Sequence, residues 1–380
     1  MHFTIDSSTI HRFERAIRYE WLETNGIGGY ASSTIIGTHT RRYHGLLVAA
    51  LAPPVGRTVL LSKLDETLYL NGREYELGTN KYQGAVFPSG YIFQQKYQQE
   101  WFPEFYYQVQ DVKLKKTIVA LNGENTTLVL YEVLAAERNF HMSLLPLISK
   151  RDYHHLLHAQ PLFGKQAVMD EGVLRYRQDL ETPYCYIMAP DSEFVEHEDW
   201  YYRLEYPMEQ YRGLEAHEDL FSPGTLSVEL SAGSKFGIIV STEDPRGRDP
   251  WALMEQERER RRELVDRSNF QEPLLRQLVK AGDQFIVQRS ENLKTIIAGY
   301  HWFSDWGRDS MIALPGLCLA TGREDDARKI LLAFAEAVKE GMLPNRFPDS
   351  GEEPEYNTID ATLWFFVAIF KYLKATKAQA

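Results

Sequence analysis

Residues 251–268 read WALMEQERERRRELVDRS, and the hydrophobic pattern has a different period on either side of them. From Glu255 to Glu263 the stretch favours helix yet is polar on nearly every face, as expected of a solvated helix bridging two domains. The chain therefore divides into an N-terminal domain over residues 1–248, a linker helix over 249–270 and a second domain over 271–380.

Upstream, from about residue 30 to 245, strand follows strand. ASSTIIGT, YHGLLVAAL, RTVLLSKLDETLYL, VKLKKTIVAL and TTLVLYEVL are β-branched or alternating. Asn71-Gly72 and Asn122-Gly123 stand where hairpin turns belong. So many strands without interleaved helices predict a β-sandwich and exclude a nucleotide-binding α/β sheet. Asn25-Gly26-Ile27-Gly28-Gly29-Tyr30 lacks the glycine spacing and following helix of a phosphate loop, so it reads as a tight turn.

Downstream the period becomes helical and stays so to the end. Pro273 opens a helix with Leu274, Leu275, Leu278, Val279, Phe285 and Ile286 on one stripe. A clearer helix has Glu324, Asp325 and Asp326 in its first turn, Ile330, Leu331, Phe334, Ala337 and Val338 as its buried stripe, and Gly341 at its end. Another runs from about Thr358 to Leu373. The long loop MLPNRFPDSGEEPEYN between them has the length of a functional loop.

Composition narrows the function. The chain has 380 residues, 44% hydrophobic and 25% charged, which suits a soluble protein with full cores. Its charged first twenty residues contain no signal peptide, and no stretch reaches the roughly 18 apolar residues of a spanning helix, so the cytoplasm is expected and a membrane is not. Cys185 and Cys318 are too few and too far apart for a disulfide framework. A net charge of −11 argues against nucleic acid. A neutral partner fits better, and the 22 tyrosines and 7 tryptophans would suit sugar rings. His154, His155 and His158 offer an i,i+4 pair without a third ligand, so neither a metal nor another cofactor is predicted.

Two constellations remain. In HWFSDWGRDSMIALPG (301–316), Asp305, Trp306, Arg308 and Asp309 crowd ahead of an apolar run. Asp309 alone reads equally as a helix N-cap. The whole set, with its planar charged groups beside aromatic faces, suits a sugar site. In GEEPEYNTIDATLWFF (351–366), Glu352, Glu353, Glu355 and Asp360 lie on a loop entering an apolar helix. Asp360 is a candidate proton donor for glycoside hydrolysis, or a first-turn aspartate paired with Asn357 in a capping-box-like arrangement. If Asp360 is buried against Trp364, desolvation outweighs the helix end and its pKa is raised.

HWFSDWGRDSMIALPGLCLATGREDDARKILLAFA, the LPNRF loop and YNTIDATLWFF together resemble the start of the catalytic domain of glycogen debranching enzymes, their amylo-alpha-1,6-glucosidase part. EWLETNGIGGYASSTIIGTHTRRYHGLLVAA resembles the accompanying N-terminal domain of the bacterial and archaeal type. The resemblance implies a β-sandwich followed by an (α/α)6 toroid, and inverting hydrolysis of α-1,6-linked glucose at the branch stubs of glycogen or another branched α-glucan. It places Asp360 on the general acid, and Asp305, Trp306, Arg308, Asp309, Tyr356 and Asn357 around the released glucose. The family's catalytic base is a late glutamate in about twelve helices, so a chain of 380 residues reads as a truncated toroid. Another glycosidase on the same architecture, such as a glucoamylase-like enzyme, and a glucan-binding protein without turnover remain the alternatives.

Overall fold

The computed structural model describes residues 3–161, 167–177, 183–347 and 353–377. Two antiparallel sheets form the N-terminal part. A nine-stranded sheet runs in the order Phe3–Asp6, Gln94–Gln99, Pro103–Val109, Val112–Ala120, Thr126–Ala135, Lys235–Ser241, Cys185–Met188, Val173–Tyr176, Val168–Asp170. An eight-stranded sheet runs Glu193–Glu205, His217–Leu230, Phe140–Asp152, Val55–Leu70, Gly45–Ala52, Tyr30–Thr34, Glu20–Thr24, with Arg73–Glu76 beside Val55–Leu70. Their inner faces share one core. Trp21, Leu61, Leu144 and Phe221 from the second sheet meet Phe105, Leu114, Tyr131 and Ile238 from the first. Burying such alternating faces drives a sandwich together.

The expected β-sandwich is present, and it begins earlier than the strand pattern suggested. Phe3–Asp6 and Glu20–Thr24 both belong to it. The second was hidden because Glu23, a charge at a core-facing position, is buried and answered by Arg261 at 2.7 Å. Asn71 and Gly72 both take positive φ, the type I′ pattern that matches strand twist.

Asp249 caps the helix Pro250–Arg267 through the Trp251 amide. Its charges were expected in water, but three of them face inward. Arg261 bonds Glu23, Glu257 and the Trp101 carbonyl, and Arg260 joins Glu257 to Asp283. Opposite charges at i,i+3 and i,i+4 satisfy one another and allow a polar helix face to be packed.

Beyond it, among the described residues, come four α-helices, Pro273–Asp283, Gly307–Leu317, Glu324–Glu336 and Asp360–Lys377. Met311, Leu314, Ile330, Phe334, Phe347 and Ala368 pack in their shared core. The region is not wholly helical. Phe285 and Ile286 lie past the first helix, and Ile286–Gln288 pairs with Lys294–Ile296 as a short hairpin. The third helix stops at Glu336, leaving Val338 exposed and Gly341 in the following turn. Leu274, Leu278, Phe366 and Phe370 are each more than half exposed.

Candidate active site

The helix Gly307–Leu317 starts against the loop that precedes the last helix. Its N-cap is Trp306, so Asp309 is a first-turn residue and not the cap. Gly307 donates to the Asn345 carbonyl at 2.8 Å, and Asn345 donates to the Glu355 carbonyl at 2.7 Å. Bridges join Trp306 to Arg346 and Arg346 to Glu355. A side chain at position 307 would run into the Pro344 carbonyl, which is why glycine stands there.

This stitching brings Arg308 to Asp360 across 52 residues, Nη1 to Oδ2 at 3.1 Å, with both side chains 43% exposed. The Arg308 guanidinium holds the Asp360 carboxyl below its ordinary range, helped by the Ala361 amide and Thr358. The condition for a raised pKa is therefore not met: Asp360 is open to solvent beside a cation, and Trp364 is itself 38% exposed. Trp306 meets the Phe303 ring edge-on at 6.2 Å.

The other candidates are distributed differently. Asp305 is fully buried, bonded to Arg289, which lies 3.6 Å from the centre of the Phe347 ring. Burial pushes its carboxyl up against the pull of Arg289. It braces the segment from behind and does not share the open surface of Arg308 and Asp360. The Tyr356 hydroxyl donates to the Ala337 carbonyl at 2.7 Å, while Asn357 is exposed. Glu355 pairs with Arg346 at 2.5 Å and the exposed Glu353 with Lys339 at 3.4 Å. Glu352 lies outside the described residues.

The segment ahead of this site is inserted into the sandwich. Arg57, wholly buried, donates to the carbonyls of Gly28, His301 and Phe303 between the rings of Tyr153 and Tyr300. The Ser32 hydroxyl donates to the Trp21 carbonyl, so the His301 Nε2–H donates to Ser32 at 2.8 Å. Glu20, His44 and His301 gather three metal-ligating atoms within 4.8 Å. The Thr40 amide donates to Nδ1 of His44, however, which puts the proton on Nε2, 3.6 Å from Glu20. In that tautomer His44 Nε2 carries a proton and offers no lone pair to a metal. His154, His155 and His158 lie on a turn, so no helical face unites them.

Residues 19–236, more than half of the chain, match the family described as glycogen debranching enzyme N terminal. The chain belongs to the glycogen debranching enzyme family. Residues 280–380 match amylo-alpha-1,6-glucosidase. A glycogen debranching enzyme of Saccharomyces cerevisiae is 42% identical over 88 residues, 22% of this chain and 6% of the yeast protein. A bacterial glucoamylase complexed with acarbose aligns over 94% of this chain and 54% of its own, at 10% identity and a TM-score of 0.46. The heparan sulfate lyase HepC of Pedobacter heparinus aligns over 46% and 23%, at 12% identity and a TM-score of 0.27. The chain thus spans a small part of the yeast relative and about half of the glucoamylase.

Sequence reasoning missed the arginines that place the site in this debranching-family chain. Arg57 stands at the edge of the apolar run RTVLLSK and Arg289 in a short strand-turn. A lone cation beside a core strand was the available signal, since a buried arginine needs specific acceptors.

Proposed function

We propose that this chain binds a branched α-glucan and supplies the acid side of an inverting α-1,6-glucosidase. The observation that carries this reading is the convergence of Arg308 and Asp360 at 3.1 Å, both open to solvent, at the start of the helix capped by Trp306. On this reading the helices are the opening turns of an (α/α)6 toroid. Arg308 and Asp309 take hydroxyls of the released glucose, and Asp360 gives its proton to the leaving oxygen.

The resting ion pair fits a donor that is armed by substrate. When sugar hydroxyls draw Arg308 away and exclude water, Asp360 loses its cation and is desolvated, and both changes raise its pKa toward that of a proton donor. Hydrolysis further requires a second carboxylate about 6.5 to 9.5 Å away to activate water. Glu353 and Glu355 are the nearby acids in sequence, and each is paired with a cation.

Asp360→Asn tests the reading. In a hydrolytically competent form of the enzyme the variant should lose glucose release from a limit dextrin by orders of magnitude, and glycogen should still retard it in a native gel. Near wild-type turnover would remove Asp360 from the acid role. Retardation with no turnover in a form that also carries the second carboxylate favours the alternative of a glucan-binding protein.

A further inference from the structure

The turn Thr38–Gly45 of the sandwich carries two adjacent arginines that differ in what they hold. Arg42 has committed its Nε to Glu209 and its Nη1 and Nη2 to the carbonyls of His154 and Glu215. Arg41 has committed only Nε, to Glu20 at 2.7 Å. Its Nη1 and Nη2 make no hydrogen bond among the described residues, and they are not sealed from solvent. Arg212 is in the same state, with Nη1 on Glu209 at 3.3 Å and its remaining donors uncommitted among the described residues.

Both uncommitted guanidiniums sit on one ring. The Arg41 Cζ lies 5.6 Å and the Arg212 Cζ 5.1 Å from the centre of Trp302. Trp302 is followed by Phe303, 42% exposed, whose ring meets Trp306, two residues ahead of Arg308 in the chain. Each guanidinium is held by a carboxylate, Arg41 by Glu20 and Arg42 and Arg212 together by Glu209. Forked donors anchored by carboxylates beside aromatic faces suit the hydroxyls and ring faces of a polyhydroxyl ligand.

We infer that Arg41 and Arg212, positioned by Trp302, form an outer subsite for an α-glucan chain, donated largely by the sandwich and continuous with the Arg308–Asp360 surface through Phe303 and Trp306. The subsite rests on the α-glucan reading above and adds to it a role for the N-terminal part. It would hold glucose units remote from the reacting bond, so its loss should weaken chain binding without touching the proton donor.

The test uses the full chain and three variants, Arg41→Lys, Arg212→Lys and the pair together. Lysine keeps the charge that Glu20 and Glu209 require and removes the forked Nη donors. Retardation in glycogen-containing native gels and calorimetric titration with maltoheptaose are measured beside thermal melting. The inference expects each single variant to bind about 5- to 10-fold more weakly at an unchanged melting temperature, the loss typical of a single net hydrogen bond. If the double variant melts early, the single variants give the same reading. Wild-type affinity in all three overturns the subsite and leaves the proposed function standing. Failure of the parent chain to bind either glucan overturns both.

Discussion

His301 takes a neutral imidazole into the sandwich, where burial, followed by the nearby His44, lowers its pKa to about 3. Above pH 6.5 neither the folded nor the unfolded chain carries that proton. As pH falls from there toward 3 only the unfolded chain takes it up, so stability is lost across that window at up to about 1.4 kcal/mol per pH unit. Glu20 acts lower down: burial raises its pKa, but His44 and Arg41 more than offset this and bring it to about 2. Its stabilisation is complete above its ordinary value near 4.5 and is lost as pH falls toward 2. His301→Gln should therefore flatten the dependence of unfolding free energy on pH between 6.5 and 4.5 and leave only the Glu20 part of the fall below 4.5; an unchanged slope in urea titrations would assign the acid sensitivity elsewhere. At this scale Arg308 and Asp360 were legible because their residue types state a chemistry. The fate of Asp305 was not, because its partner Arg289 lies just past the strand Ile286–Gln288, in a connection that no local pattern joins to it.

The helix Pro250–Arg267 shows how an element can be found from sequence and its burial misjudged. Its extent is close to the 251–268 expected, since helix propensity and the Asp249-Pro250 start are local. Its burial is not local. Arg261 is held by Glu23 from the sandwich and Glu257 from its own helix, and burial alone would lower its pKa, but the two carboxylates raise it. Arg261→Met leaves Glu23 buried without its cation and should destabilise the chain by about 3 to 5 kcal/mol. Adding Glu23→Gln removes the stranded charge and should recover much of that loss. Chemical unfolding of the two variants measures the difference, and equal losses would mean that the pair is uncoupled. The strand Glu20–Thr24 was missed for the same reason, since a buried glutamate reads as surface until its partner is known.

Over the whole molecule the two parts end differently. The sandwich closes its sheets over a common core, whereas the helices Pro273–Asp283 and Asp360–Lys377 present Leu274, Leu278, Leu363, Phe366 and Phe370 to solvent. Apolar faces of that kind drive association. The 380-residue chain should sediment with increasing mass as its concentration rises, and Phe366→Glu with Phe370→Glu should return it to a monomer. A concentration-independent monomer in the parent would show that these faces do not drive association. The sandwich was legible because alternation and turn residues repeat along it. The join between its turns and residues 300–303 was not, because it depends on contacts more than 240 residues apart. That join has a consequence for the order of events during synthesis. Arg57 emerges from the ribosome with its strand, while the carbonyls of His301 and Phe303 that it needs are still untranslated. Until they arrive, its guanidinium must stay hydrated, and the strand end around it cannot settle into its final dry surroundings. Completion of the first-made half is thereby tied to delivery of the second, and the nascent chain reaches its fully packed state only after the segment bearing Arg308 has been made.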